Sequence, residues 1–199
     1  MASRMGTTSS TDTSARADSA SLGSPVIRGP TIAADSAREP SLSRVGNEFV
    51  LRLPVTLFRL LNDSLPGFTP QQQASYNPRL ASRQQPLSVV IGDFDGDLTP
   101  DVAIVGTSAG TPALILLLND STTSGKPRLM FVSRPDPGTP TSLGSQFIEL
   151  EKSQQIVSPN NGQVVLNLHT DAIHVWGDNL SEVVYLDRGA IKSFSTRGD

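Results

Sequence analysis

The sequence predicts a mainly β (α+β) fold: an antiparallel, blade-like sheet with a C-terminal β-meander, one short helix and a long extended N-terminal tail. Three observations carry this expectation. From residue 87 onward, short runs of β-branched and aliphatic residues recur between breaks rich in Gly, Asp, Asn and Pro, the pattern of strands and turns. Only one stretch, Leu57, Leu60, Leu61 and Leu65, repeats with helical spacing. Residues 1–44 are rich in Ser, Thr, Ala, Pro, Asp and Arg, contain no aromatic residue, and bury too little apolar surface to offset the entropy of ordering them. The expected organisation is therefore a tail over 1–44 and a β-rich domain over 45–199.

In chain order, Pro25–Ile32 is the one apolar patch of the tail and its expected anchor. Fully extended, about 44 residues reach on the order of 140 Å, far enough to lie across a neighbouring subunit. The domain opens on the apolar run Phe49–Leu53. Pro54 then suits the first turn of a helix over 54–63, which Pro66-Gly67 stops. Residues 66–86, with Gln71-Gln72-Gln73, Pro78 and Pro86, read as a polar loop. The expected strands are 87–92, 101–106, 112–118, 128–133, 146–150, 163–168, 171–176, 182–186 and 190–195. Loops are expected over 135–143 and 158–162, and Asp187-Arg188-Gly189 predicts a tight hairpin.

Composition narrows the function classes. The 16 basic and 19 acidic residues leave a net charge of −3, without the basic excess expected of a nucleic-acid binder. There is no cysteine, so disulfides, thiolate zinc sites and thiol catalysis are excluded. No apolar run approaches the ~20 residues of a membrane-spanning helix, so no transmembrane segment is expected, and peripheral membrane association stays compatible with the chain. Met1–Gly6 leads into Ser/Thr-rich sequence without the apolar core of a secretory signal, which points to the cytoplasmic face.

The chemistry concentrates in Asp93-Phe94-Asp95-Gly96-Asp97-Leu98-Thr99-Pro100-Asp101, between two apolar runs. Carboxylates this close repel unless a cation, backbone N–H groups or water screens them. Oxygen ligands at alternate residues suit Ca²⁺. The same residues also suit an Asp/Gly turn satisfied by its own backbone, and the sequence leaves both readings open. The loop and its flanking strands, residues 87–106, resemble the FG-GAP/VCBS repeat family, whose signature runs D-F-[DN]-G-D-G-x-x-D before a buried strand. That resemblance implies a propeller-type blade, a Ca²⁺ ligand set of Asp93, Asp95, Asp97, the Thr99 carbonyl and Asp101, and a location outside the cytoplasm. Leu98 departs from the family's glycine; if the position needs a positive φ, leucine there costs ~1–2 kcal/mol. With one acidic loop the chain is too short for a propeller of at least about four blades.

Other candidates are weaker. Gly106-Thr107-Ser108-Ala109-Gly110 matches G-x-S-x-G, but a nucleophile elbow needs a strand-to-helix turn in a parallel sheet, and a hairpin is expected around Ser108. His169 and His174 lie five residues apart, with Asp171 or Asp178 as conceivable third ligands, yet no ligand spacing is completed. Trp176 is expected to pack the core. The function expected from these readings is a non-enzymatic accessory subunit docking on a larger assembly, such as a membrane-associated photosynthetic complex, with residues 1–44 as a clamp on a protein partner. The alternative is a Ca²⁺-dependent cell-surface binding module of the FG-GAP/VCBS type, and a serine hydrolase using Ser108 ranks last.

Overall fold

A computed structural model describes residues 30–46, 48–71, 88–120, 126–133, 147–157, 164–177 and 181–196. They form a mainly β fold of three stacked layers. The first layer joins β1 (Thr31–Asp35), β2 (Ser41–Val45) and β3 (Glu48–Pro54) in the order β1-β3-β2, with β1 parallel and β2 antiparallel to β3. Helix α1 (Val55–Ser64) follows directly, and Pro54 precedes it with φ −45°, a value proline already favours. The helix turns Leu57 and Leu61 inward, and its end is closed by the Leu65 N–H donating to the Leu61 carbonyl at 2.8 Å.

The central layer is antiparallel. It comprises β4 (Thr69–Pro70), β5 (Val89–Gly92), β6 (Asp101–Ser108), β7 (Thr111–Leu118) and β8 (Arg128–Ser133), with β4 and β5 both pairing β6 and the order continuing β6-β7-β8. Both of its faces are buried, which explains why β6 and β7 read as unbroken apolar runs rather than alternating ones. Val102 and Ile104 of β6, with Ile115 and Leu117 of β7, face Leu51, Leu53, Leu57 and Leu61 of the first layer. Their neighbours Ala103, Val105, Leu114, Leu116 and Leu118 face Ile148, Ile173, Val175 and Val184 of the third. Gly106 carries no side chain because a Cβ there would sit 2.4 Å from the Thr69 carbonyl oxygen of the pairing strand β4 and 2.5 Å from the ring of Phe68 just before it.

The third layer is the meander β9 (Phe147–Glu151), β12 (Ala172–Trp176), β13 (Ser181–Asp187) and β14 (Ala190–Ser195), ordered β14-β13-β12-β9 and antiparallel throughout. A small hairpin of β10 (Gln155–Val157) and β11 (Val164–Asn167) packs Ile156 and Leu166 on its outer face, over Leu168, Ala172 and Val183. The β13–β14 turn is left-handed at Arg188 (φ 52°) and Gly189 (φ 77°), the tight hairpin the sequence predicts there.

The differences from expectation are specific. Residues 31–45 belong to a paired sheet and not to a free tail. Averaged over 44 residues the segment looks too polar to order, but pairing on both sides of β3 lets Ile32 and Leu42 pack against a core that β3 supplies. The meander is not an extension of the central sheet; it is a separate sheet stacked face to face on it. Strand β4 falls inside the stretch read as a loop, while 72–87 and the loops 135–143 and 158–162 lie outside the described residues. Among the described residues no helix is long and apolar enough to cross a membrane.

Candidate metal centre

The acidic loop joins β5 to β6 and is folded by its own carboxylates. Asp93 accepts from the Gly96 N–H (2.8 Å) and the Leu98 N–H (3.2 Å), one on each oxygen. Asp95 accepts from the Asp97 N–H at 3.3 Å, and Asp97 from the Thr99 N–H at 2.8 Å and the Thr99 hydroxyl. The path requires positive φ at Gly96 (82°) and at Leu98 (67°), so leucine stands in the conformation that glycine tolerates best. Leu98 is 89% exposed and gains no burial there.

Asp101 is the fixed point. It opens β6 with no solvent exposure, and its two oxygens accept from the Phe94 N–H (2.9 Å) and the Asn119 N–H (2.7 Å). Burial pushes its carboxyl up to about 7; the two N–H donors oppose that rise, and the charges of Asp95 and Asp97 add to it. Burial also raises Asp95, helped by the charge of Asp97 and opposed by the hydrogen bond from Asp97 and by Arg128, whose guanidinium lies 3.4 Å away at the rim.

Carboxylate oxygens of Asp93, Asp95 and Asp101 all lie within 4.8 Å of one another. Ionised pairs at that separation repel by about 3.5 kcal/mol each at an effective dielectric of 20. A hydrogen bond to a charged group returns about 1.5–3 kcal/mol, so the donors only roughly balance the repulsion, and a proton or a cation relieves the remainder. The spacing fits the latter. With Ca–O bonds of about 2.3–2.6 Å, ligands on opposite sides of the ion stand about 4.6–5.2 Å apart. One Asp97 carboxylate oxygen is also buried without a hydrogen-bond partner. Of the five positions the sequence nominates, the structure thus gathers Asp93, Asp95 and Asp101. Asp97 stands outside that group of three, with one oxygen engaged by Thr99.

Sequence reasoning missed the partners that hold the loop. Asp171 accepts from the Asp93 N–H at 3.1 Å, donates its own N–H to the Asp93 carbonyl at 3.0 Å, and is paired to Lys152 at 2.8 Å. Nothing local marks Asp171 or Asn119, because both act across the fold. A Cβ on Gly92 would meet Leu150 at 2.6 Å and Asp171 at 2.9 Å, so the two sheets approach too closely there for any side chain.

The remaining candidates separate. Ser108 ends β6 opposite Thr111 in a two-residue hairpin through Ala109 (φ 49°) and Gly110 (φ 77°), and a strand follows where an elbow would need a helix. His169 is exposed, whereas His174 lies on β12 against Glu151 and Ser181, and Asp171 is engaged at the acidic loop. The two histidines and Asp171 therefore do not converge, and Asp178 lies outside the described residues. Trp176 is half-buried on the outer face, not in the core. It stacks on His174 at 3.9 Å between ring centres and on Phe147 at 6.2 Å, and donates its indole N–H to Glu149 at 3.0 Å.

Fold and site together define a three-layer β domain whose acidic strand–turn–strand loop gathers three carboxylates that could hold a metal ion. No family model, no curated protein and no solved structure matches the chain.

Proposed function

We propose that this protein is a calcium-braced β binding module, with Asp93, Asp95 and Asp101 as the carboxylates that hold the ion. The observation that carries the reading is the mutual approach of those three carboxylates to within 4.8 Å at the mouth of two buried strands. The unpartnered Asp97 oxygen and the raised proton affinity of Asp101 support it, since both describe an acidic site short of positive charge. The FG-GAP/VCBS resemblance of residues 87–106 is consistent with it. Asp97 and the Thr99 carbonyl belong to the wider ligand set that resemblance implies.

The test is titration of chelator-treated protein with Ca²⁺ by calorimetry, followed by melting with and without the ion. One site is expected, with stability rising as RT ln(1 + [L]/Kd), and Asp95→Ala is expected to remove both signals. Equal melting temperatures in chelator and in millimolar-scale calcium would reject the reading.

A second reading, an accessory subunit docking on a larger assembly, is favoured by one observation. Among the described residues β8 stands at the edge of its sheet, and large apolar side chains are exposed at Val164 and Val165 on β11; strand edges of this kind invite pairing with another chain. Because residues 31–45 are used within the protein's own sheet, the clamp in this reading contracts to residues 1–29. Deleting those residues should abolish co-purification of a stoichiometric partner from the native cell; retained co-purification would remove the clamp.

A further inference from the structure

We propose that Ser181 is an activated nucleophile, with His174 as its general base and Glu151 positioning the histidine, and that the outer face of the third layer accepts small aryl esters as acyl donors. The inference is independent of the acidic loop, which lies against the opposite side of that sheet. It rests on side chains that three different strands bring together. Ser181 Oγ lies 3.1 Å from His174 Nε2, and His174 Nδ1 lies 3.4 Å from Glu151 Oε2. A nucleophile in hydrogen-bond reach of a base, itself oriented by a third group, is the geometric signature of covalent catalysis, and such contacts are commonly long before substrate binds. The order Glu151, His174, Ser181 follows no local motif, which is why the sequence does not reveal it.

The environment sets the protonation state required. Burial lowers the proton affinity of His174 below its ordinary 6.5, while the hydrogen bond and charge of Glu151 oppose that shift. The ring is then neutral near pH 7. With Nδ1–H directed at Glu151, the Nε2 lone pair faces the Ser181 hydroxyl. Among the described residues the charged groups beside the ring are Glu151 and, directly across the β9–β12 ladder, Glu149, which accepts the Trp176 indole N–H. Stacking on Trp176, with 17° between planes, fixes the ring plane, and Phe147 continues the row at 18°. This row of aromatic rings beside Ser181 is the reason to favour an aryl ester, whose own ring can extend the stack.

The step balances without an outside reagent. As the Oγ–acyl carbon bond forms, the Ser181 proton moves to Nε2. When the carbon–oxygen bond to the aryl oxide breaks, Nε2 returns that proton to the leaving group. Water then attacks the acyl carbon, gives its proton to Nε2, and Ser181 departs reprotonated. The Thr196 hydroxyl is hydrogen-bonded to Ser181 Oγ and lies 3.5 Å from His174 Nε2, a second hydroxyl beside the reacting atoms.

The test uses the full chain, a fluorophosphonate probe with peptide mapping by mass spectrometry, and hydrolysis of p-nitrophenyl acetate. The expected result is an adduct on Ser181 formed at least ~100-fold faster than on Ser193, which is exposed on neighbouring β14. Ester turnover is expected to be lost in Ser181→Ala and to fall by at least ~100-fold in His174→Gln. The labelling rate should rise with pH to a plateau whose inflection lies below 6.5, and Glu151→Gln should move that inflection lower, a change that a purely structural role for Glu151 would not produce. Labelling of Ser181 no faster than Ser193 would overturn the proposal. Unchanged ester turnover in Ser181→Ala would overturn it as well, whether or not the His174 variant folds.

Discussion

Leu98→Gly is the substitution for which the structure supplies both terms of the balance. Leu98 holds φ 67° and is 89% exposed, so its side chain contributes strain and almost no packing. The left-handed conformation costs a non-glycine residue about 1–2 kcal/mol, and glycine removes that cost. Against it, glycine enlarges the conformational freedom of the unfolded chain, a penalty of about 0.4–1 kcal/mol. The net expectation is a gain of about 0.5–1 kcal/mol. For a domain of this size 1 kcal/mol moves the melting temperature by about 2–4 °C, so Leu98→Gly should melt about 1–4 °C above the parent. Leu98→Ala keeps the left-handed strain and should stay within about 0.5 kcal/mol of the parent, as exposed substitutions do. The assay is urea and thermal denaturation of the three proteins in chelator. If Leu98→Gly is no more stable than Leu98→Ala, position 98 is not left-handed in solution and the argument fails. Because the Leu98 N–H donates to Asp93, relaxing this backbone should also leave Ca²⁺ affinity equal or greater; weaker binding would contradict the geometry.

Three further outcomes are expected. In chelator, Asp101 makes stability fall as pH rises: its folded-state pKa of about 7 lies above the ordinary 3.8, so the folded state holds the proton more tightly, and this contribution is fully present below about 4 and lost as pH rises through 7. The slope approaches about 1.4 kcal/mol per pH unit within that window, and saturating Ca²⁺, which favours the ionised form, should reduce it. Urea midpoints from pH 4 to 8 measure both, with Asp101→Asn as the control that flattens the curve. Asp171→Ala leaves the Asp93 N–H and Lys152 without their partner at the junction of two sheets, and should cost about 1–3 kcal/mol with faster amide exchange in β9 and β12; unchanged exchange there would show that apolar packing alone fastens the sheets. Gly106→Ala forces a methyl against the Thr69 carbonyl at 2.4 Å, and a loss of about 1–3 kcal/mol is expected from denaturation curves.

Legibility in the sequence tracked the range of the physics. The turn chemistry of Asp187-Arg188-Gly189 and the helix opened by Pro54 are local, and both appear within a residue or two of their predicted places. Strands β6 and β7 were visible as apolar runs, but a run buried on both faces carries no period-2 signal, so the sequence could not say that a layer lay on each side. Strands β1 and β2 were lost because each contributes about one apolar residue to a core made elsewhere. Asp93, Asp95 and Asp101 were legible as a group through their spacing. The residues that fasten them, Asn119 and Asp171, sit 18 and 78 positions from their partners and have no signature at that distance.

Those two fasteners also decide how an ion can bind. Through Asn119, whose backbone N–H serves Asp101 and whose side-chain amide donates to the Arg38 carbonyl at 3.1 Å, the acidic loop is tied to the first layer. Through Asp171 it is tied to the third. A loop fixed at both ends to separate sheets cannot wrap itself around a cation without disturbing all three layers, so binding has to use the carboxylates where they already stand. The ordering cost is met when the domain folds, and affinity then depends on how far the ion offsets the desolvation and mutual repulsion of three acids. This distinguishes the site from a flexible acidic turn. In a flexible turn, Ca²⁺ binding would order the loop and change its amide exchange. Here exchange in the loop should hardly move, while global stability rises.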